Sequence, residues 1–118
     1  MIVTVHKDHV IYALAAEGGL LGADLSAPDI IGKAYEANPE IIVVPLTRLA
    51  PAFLDLSTRV AGEVFQKMEQ YGHRLVILGD ISTMVGGSTA LHAFVAETNR
   101  RGHHLFVPDI DSLLARLD

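Results

Sequence analysis

Two uninterrupted apolar runs constrain the fold of this chain more than any other feature. They are IIVV at residues 41–44 and LVIL at residues 75–78. Neither run alternates between apolar and polar residues, which is typical of strands that are buried on both faces of a parallel sheet. Because helices must cover both faces of such a sheet, the two runs predict an α/β domain.

Three further runs complete the set of predicted strands: residues 2–6, 9–15 and 104–107. The polar pair Lys7 and Asp8 lies between the first two runs and suits a tight hairpin turn. The first two strands are therefore expected to form an antiparallel hairpin at one edge of the sheet.

Helical spacing of apolar residues separates the predicted strands. Ser26 and Ser88 are candidate N-caps, and the stretch 53–67 is expected to open the longest helix. The glycine-containing segment 81–87 is expected to be a loop. The order β-β-α-β-α-β-α-β-α predicts a single domain over residues 1–118, with a mostly parallel five-stranded sheet and an antiparallel edge strand.

Composition excludes several classes of function. Half of the 118 residues are apolar, the net charge is -5, and cysteine is absent. Without a basic stripe, nucleic acid is not an expected partner. A chain without cysteine has no thiol chemistry and suits a reducing cytoplasm. No apolar run approaches the roughly 20 residues of a membrane span, so a cytoplasmic protein without a membrane partner is predicted.

The histidines do not form a recognisable metal-binding pattern. No His-x-x-x-His pair occurs among the six histidines. His103 and His104 are adjacent, and neighbours in a strand point to opposite faces of the sheet. Neither a metal nor another cofactor is therefore expected.

The strand at residues 41–44 leads through a loop that contains Asp55, Ser57 and Thr58 into a helix that begins with small residues. This arrangement, and the order of elements, resembles sulfate-transporter and anti-sigma-factor-antagonist (STAS) domains. The resemblance implies a STAS-like fold. It also implies a regulatory role, since in anti-sigma antagonists a serine near this position accepts a phosphate from a partner kinase.

A resemblance that runs from about residue 53 to the end of the chain is to the uncharacterised bacterial domain-of-unknown-function family 4180. It rests on FLDL at 53–56, AGE at 61–63, LGD at 78–80 and the closing Glu97, Asn99 and Arg100. The family pattern favours glycine where Arg59 stands. A glycine would leave the backbone open to a ligand, whereas Arg59 would either bind a phosphate or block the site.

Two groups of polar residues are candidates for function. Ser57 and Thr58 are the predicted phosphoacceptors, with capping of the helix as their structural alternative. Asp80 follows a strand at the carboxyl edge of the sheet, where Glu97 and Asn99 could join it in a polar network. The alternative for Glu97 is a surface ion pair with Arg100 or its neighbour.

The function predicted from the sequence is a non-enzymatic, STAS-like regulatory domain. It would bind a protein partner or a small ligand and would be switched by phosphorylation at the start of the second helix. One alternative is an enzyme of unknown reaction that uses Asp80 and Glu97 as acid and base at the carboxyl edge of the sheet. Another is a homodimer whose edge strand or helix face is its main interaction surface.

Overall fold

A computed structural model describes residues 2–117 and confirms the α/β fold. The strands are β1 (Ile2–His6), β2 (His9–Ala13), β3 (Ile41–Pro45), β4 (Arg74–Leu78) and β5 (Leu105–Val107). The α-helices are α1 (Ala27–Lys33), α2 (Pro51–Leu54), α3 (Val60–Gln70), α4 (Ser82–Gly86), α5 (Thr89–Arg101) and α6 (Ile110–Leu117). Two 3₁₀ turns, Leu46–Arg48 and Leu56–Thr58, precede and follow α2. Within residues 2–117, no helix has both the length and the apolar character needed to cross a membrane.

The five strands lie in the sheet in the order in which they occur along the chain. β1 pairs with β2 in antiparallel fashion, and every other pair of neighbours is parallel. At the hairpin turn Lys7 has φ 46° and Asp8 has φ 71°, the left-handed conformation that matches the twist of two antiparallel strands. The mostly parallel sheet with an antiparallel edge strand is therefore confirmed.

The helices cover the two faces of the sheet unequally. One face packs against α1, α3 and α5, and its largest fully buried side chains include Phe53 and Met68. The other face packs against α6 through Leu113. All four residues of the 41–44 run are at most 1% exposed, because β3 is covered on both sides, as its composition predicted.

Two predicted helix caps are present. The Ser26 hydroxyl accepts the Asp29 N–H at 3.2 Å, and the Asp29 carboxylate accepts the Ser26 N–H at 2.9 Å, which completes a capping box. At the start of α5, the Ser88 hydroxyl accepts the Leu91 N–H at 3.1 Å. Each cap satisfies backbone donors that the first helical turn leaves without a partner.

Two predicted segments differ in the structure. The stretch 53–67 is not one helix, because Arg59 has φ 64° and redirects the chain between the 3₁₀ turn and α3. The prediction that it opens the longest helix was wrong, since α5 has 13 residues and α3 has 11. The segment 81–87, expected to be a loop, contains the short helix α4.

Candidate functional site

Residues 55–59, called the junction segment below, lie between α2 and α3 and include four of the predicted site residues. Asp55 Oδ1 accepts the Ser57 hydroxyl at 2.7 Å and the Ser57 N–H at 3.1 Å. These hydrogen bonds, the hydroxyl first, hold the pKa of the Asp55 carboxyl below its usual range. Asp55 therefore caps the 3₁₀ turn that precedes α3.

Thr58 has a structural position inside this segment. Its Oγ1 lies 2.6 Å from the Ala52 carbonyl oxygen and 2.8 Å from that of Asp55, and it accepts the Val60 N–H at 3.2 Å. The hydroxyl thus ties the end of α2 to the first residue of α3. Among the described contacts, the Ser57 hydroxyl bonds only Asp55, so it is less constrained than that of Thr58.

Arg59 occupies the N-cap position of α3 in the left-handed conformation and provides no side-chain cap. A glycine at this position would adopt the same left-handed conformation without steric cost. On α3, Gly62 is exposed, and a Cβ added to it would meet nothing within 4 Å. A shallow cavity of about 530 Å³ adjoins the segment, and it is lined by Leu56, Arg59, Gly62, Glu63, Gln66 and Phe94.

The predicted network of Asp80, Glu97 and Asn99 is not formed by the described contacts. Asp80 Oδ1 accepts the Ser82 N–H at 3.0 Å, at the start of α4. Glu97 forms an ion pair with Arg100, with a shortest N–O distance of 2.6 Å, and both side chains are more than half exposed. Hydrogen bonding from Ser82 lowers the pKa of Asp80, and hydrogen bonding from Arg100 lowers that of Glu97.

Asn99 instead connects α5 to the outer strand of the sheet. Its Oδ1 accepts the Phe106 N–H at 2.8 Å, and its Nδ2 donates to the Phe106 carbonyl oxygen at 3.1 Å. The amide side chain therefore pairs with β5 much as a neighbouring strand would. These two bonds give the Asn99 side chain a structural role that requires no ligand.

His103 and His104 differ from the arrangement predicted for them. They precede β5, and their ring centroids are 4.5 Å apart. Donor atoms of Glu69 and the two histidines lie within 4.8 Å of one another. However, His104 Nδ1 accepts the Leu75 N–H at 2.9 Å, so the neutral ring carries its proton on Nε2 and has no lone pair left for a metal. The chemistry of this donor set does not fit a bound metal ion.

The environment of His104 is apolar. The residue is 7% exposed, and its ring stacks on Phe65 with a centroid distance of 4.9 Å. Burial, followed by the charge of His103, lowers the pKa of His104 to about 4. Among the described residues, Nε2 is a buried side-chain atom without a hydrogen-bond partner.

Arg48 is a candidate that the sequence analysis missed. It lies in the 3₁₀ turn after β3 and is 8% exposed. The available signal was weak: Arg48 is the one charged residue between Pro45 and Pro51. Nothing in the sequence indicated that the guanidinium would be buried, because its partners come from a distant loop.

The strands, helices and candidate sites define an α/β fold with a polar junction segment before α3. Residues 6–117 match the family described as Domain of unknown function (DUF4180). The chain belongs to this family. No curated protein and no solved structure matches it.

Proposed function

We propose that this protein is a non-enzymatic, STAS-like regulatory domain, and that phosphorylation of Ser57 switches its binding of a protein partner or small ligand. One observation carries the proposal: Ser57 is exposed in the 3₁₀ turn that precedes α3, and its hydroxyl bonds only the Asp55 side chain among the described contacts. The order of strands and helices supports the STAS-like assignment. The cytoplasm is the proposed compartment, which the cysteine-free sequence favours.

The switch would act through loss of the hydroxyl bond from Ser57 to Asp55, together with repulsion between the phosphate and the Asp55 carboxylate. A partner kinase would transfer a phosphoryl group from ATP to Ser57 Oγ, and the hydroxyl proton would leave with the kinase's base. The modified oxygen can no longer donate to Asp55. At neutral pH the phosphate carries about -1.5 to -2 charges, so it repels the ionised Asp55 carboxylate beside it.

Arg59 would convert this local repulsion into a change of shape. A non-glycine residue in the left-handed conformation costs on the order of 1 kcal/mol and persists because its neighbours hold it. Once the 3₁₀ turn loses its Asp55 cap, Arg59 is free to leave that conformation and to pair with the phosphate two residues away. The surface formed by the junction segment and the first turn of α3 would change as a result.

The cavity beside the junction segment supports a binding role for this surface. Half-buried Leu56 and Phe94 provide apolar contacts there, and Arg59 provides a positive charge. Gly62 leaves the backbone of α3 open to approach. A partner that inserts a side chain into this cavity would lose its fit when Arg59 moves.

Thr58 is the less suitable phosphoacceptor. Phosphorylation there would remove contacts of Oγ1 with three backbone groups. The two neighbouring hydroxyls therefore provide a matched pair for testing the proposal. Ser57→Asp adds negative charge beside Asp55 and should change partner binding. Ser57→Ala adds no charge and keeps the backbone N–H bond to Asp55, and Thr58→Ser keeps the hydroxyl at position 58, so both should retain the unmodified state.

The test begins with the protein isolated from its native cells, in which mass spectrometry locates phosphate groups. Partners are then captured with the wild-type chain, Ser57→Ala, Ser57→Asp and Thr58→Ser. The expected result is phosphate on Ser57 and partners whose recovery changes in Ser57→Asp alone. An unmodified Ser57 under all growth conditions, together with identical partner recovery by all four proteins, would overturn the proposal.

The enzyme alternative has less support. Asp80 and Glu97 are both exposed, and both have a lowered pKa, so neither carboxyl is poised as an acid near neutral pH. Their described partners are also different residues. A pair of carboxyls with divergent environments would have favoured catalysis.

A homodimer through β1 is a second candidate, and a specific observation favours it. Ile2, Val3 and Val5 are 52–66% exposed on this edge strand. An edge strand with apolar side chains is suited to pairing with a second copy. Light scattering tests this: a dimer that Val5→Lys converts into a monomer is expected, and a monomeric wild-type protein contradicts it.

A further inference from the structure

Arg48 is buried without a carboxylate partner. Its Nε donates to the Gly19 carbonyl oxygen at 2.7 Å, and its Nη1 donates to those of Ala15 at 3.0 Å and Glu17 at 3.3 Å. These bonds use three of the five N–H donors of a guanidinium. Within residues 2–117, the described hydrogen bonds leave both donors of Nη2 unused.

The charge of this guanidinium is therefore not neutralised. Buried charges are normally paired with an opposite charge, because the cost of removing them from water is high. The described ion pairs join Glu40 to His9 and Arg74, and Glu97 to Arg100, and none includes Arg48. The three backbone carbonyl groups that accept from Arg48 stabilise the guanidinium, but they do not neutralise its positive charge.

A cavity of about 200 Å³ adjoins Arg48 at the carboxyl end of β2 and β3. Open α/β sheets bind ligands at this edge. Most of the wall is apolar, and Arg48, Lys33 and Glu17 are its charged members; the remaining lining residues are Tyr12, Leu14, Ala15, Leu25 and Ile30. At about 30 Å³ per water molecule, the cavity has the volume of roughly seven waters, which suits a short organic acid.

The loop that holds Arg48 is built around the guanidinium. Gly18 has φ 146°, and a Cβ placed on it would lie 2.7 Å from Arg48 Cζ. The backbone can therefore lie directly against the guanidinium while the carbonyl groups on either side accept its protons. A role limited to fastening this loop would account for Nε and Nη1 and would leave Nη2 to solvent, but it would give the adjoining cavity no role.

We propose that this cavity binds a small monocarboxylate with an apolar substituent. The carboxylate accepts N–H groups from Arg48 Nη2 and lies within the field of Lys33, while the substituent packs against Leu14, Leu25 and Ile30. The apolar wall and the Glu17 carboxylate disfavour a phosphate dianion. This site is distinct from the junction segment, so its test does not depend on phosphorylation of Ser57.

The test titrates the full chain with sodium butyrate and sodium benzoate and follows backbone NMR chemical shifts. Butyramide, which has the apolar substituent but no charge, is the control for the carboxylate. Inorganic phosphate, which is charged but has no apolar part, is the control for the substituent. We expect both carboxylates to shift signals of Gly18 and Ile30, with a dissociation constant on the order of 1 mM or lower. Neither control should produce these shifts.

Variants then distinguish a binding site from a structural contact. Arg48→Lys keeps the charge but removes Nη2, and it should weaken benzoate binding at least about tenfold. Because this variant could also disturb the fold, Lys33→Gln provides an independent measurement on an exposed residue. It should weaken binding about threefold by reducing the local positive charge, whereas Lys67→Gln, a matched change on α3, should have no effect.

Three outcomes would overturn the proposal. The first is the absence of shifts around the cavity at concentrations roughly tenfold above 1 mM. The second is equal binding of butyramide or of phosphate, which would show that the site does not recognise a carboxylate with an apolar substituent. The third is equal affinity of Lys33→Gln and Lys67→Gln, since the charge in the cavity would then have no role.

Discussion

Protonation of His104 should couple the stability of this protein to pH. The ring is 7% exposed, its Nδ1 accepts the Leu75 N–H, and its pKa is lowered from 6.5 to about 4. Above pH 6.5 neither the folded nor the unfolded state binds this proton. As the pH falls from 6.5 towards 4, the unfolded chain binds it and the folded protein does not, so stability decreases.

The size of the effect follows from the two pKa values. One pKa unit corresponds to about 1.4 kcal/mol, so the shift from 6.5 to about 4 is worth about 3 kcal/mol of unfolding free energy. The charged groups around the ring have smaller effects on this pKa: His103 and Arg74 lower it further, and Glu69 raises it. Below pH 4 both states carry the proton, and the loss reaches its limit.

His104→Asn isolates this contribution. The asparagine oxygen can accept the Leu75 N–H but does not titrate, and His103→Asn is the matched change on the exposed neighbour. Urea unfolding of the three proteins gives the unfolding free energy between pH 7 and pH 4. The wild type should lose about 3 kcal/mol more than His104→Asn over this range. His103→Asn should lose somewhat less than the wild type, because the charge of His103 helps to lower the pKa of His104. Equal pH dependence in the wild type and His104→Asn would refute the reasoning.

Five other substitutions test the packing, hydrogen bonds and backbone conformation described above by urea unfolding. Phe53→Ala should cost about 3–5 kcal/mol because it empties a position that is 1% exposed, and a loss below about 1 kcal/mol would contradict that burial. Asn99→Ala should cost about 2 kcal/mol by removing both bonds to β5, while the exposed Arg100→Ala should leave stability unchanged. Gly62→Ala should stabilise α3 by about 0.5–1 kcal/mol. Gly22→Ala should destabilise the protein, because Gly22 has φ 101° and the added Cβ would lie 3.0 Å from Val60. A stabilising Gly22→Ala together with a destabilising Gly62→Ala would contradict this account.

The sheet and its order could be predicted because their signals are local. The run at 41–44 is entirely β-branched, and its burial on both faces follows directly from that composition. Ser26 and Ser88 cap helices through residues only three positions away. Where a contact depends on nearby residues, the sequence was a sufficient guide.

The junction segment could not be predicted at the same level. The sequence has an arginine at position 59, where the left-handed φ would ordinarily be signalled by glycine or asparagine. The segment therefore resembled the start of one continuous helix. Similarly, Gly86 and Gly87 suggested a loop, although a short helix begins there at Ser82, whose N–H donates to the Asp80 carboxylate.

The environments of Arg48 and His104 arise from distant parts of the chain. The acceptors of Arg48 lie about thirty residues earlier, between residues 15 and 19, and His104 accepts from Leu75 on β4. The residues that flank Arg48 and His104 in the sequence do not indicate these hydrogen-bond partners. Both sites become apparent only when the sheet brings the segments together.

The central claim, that phosphorylation of Ser57 reorganises the junction segment, has a direct measurement. Phosphoserine can be incorporated at position 57 during synthesis, and backbone NMR chemical shifts then report the φ and ψ angles of residues 55–62. The account predicts that Arg59 leaves its left-handed conformation while the signals of β3 and β4 remain unchanged. Chemical shifts that retain a left-handed Arg59 in the phosphorylated protein would contradict it.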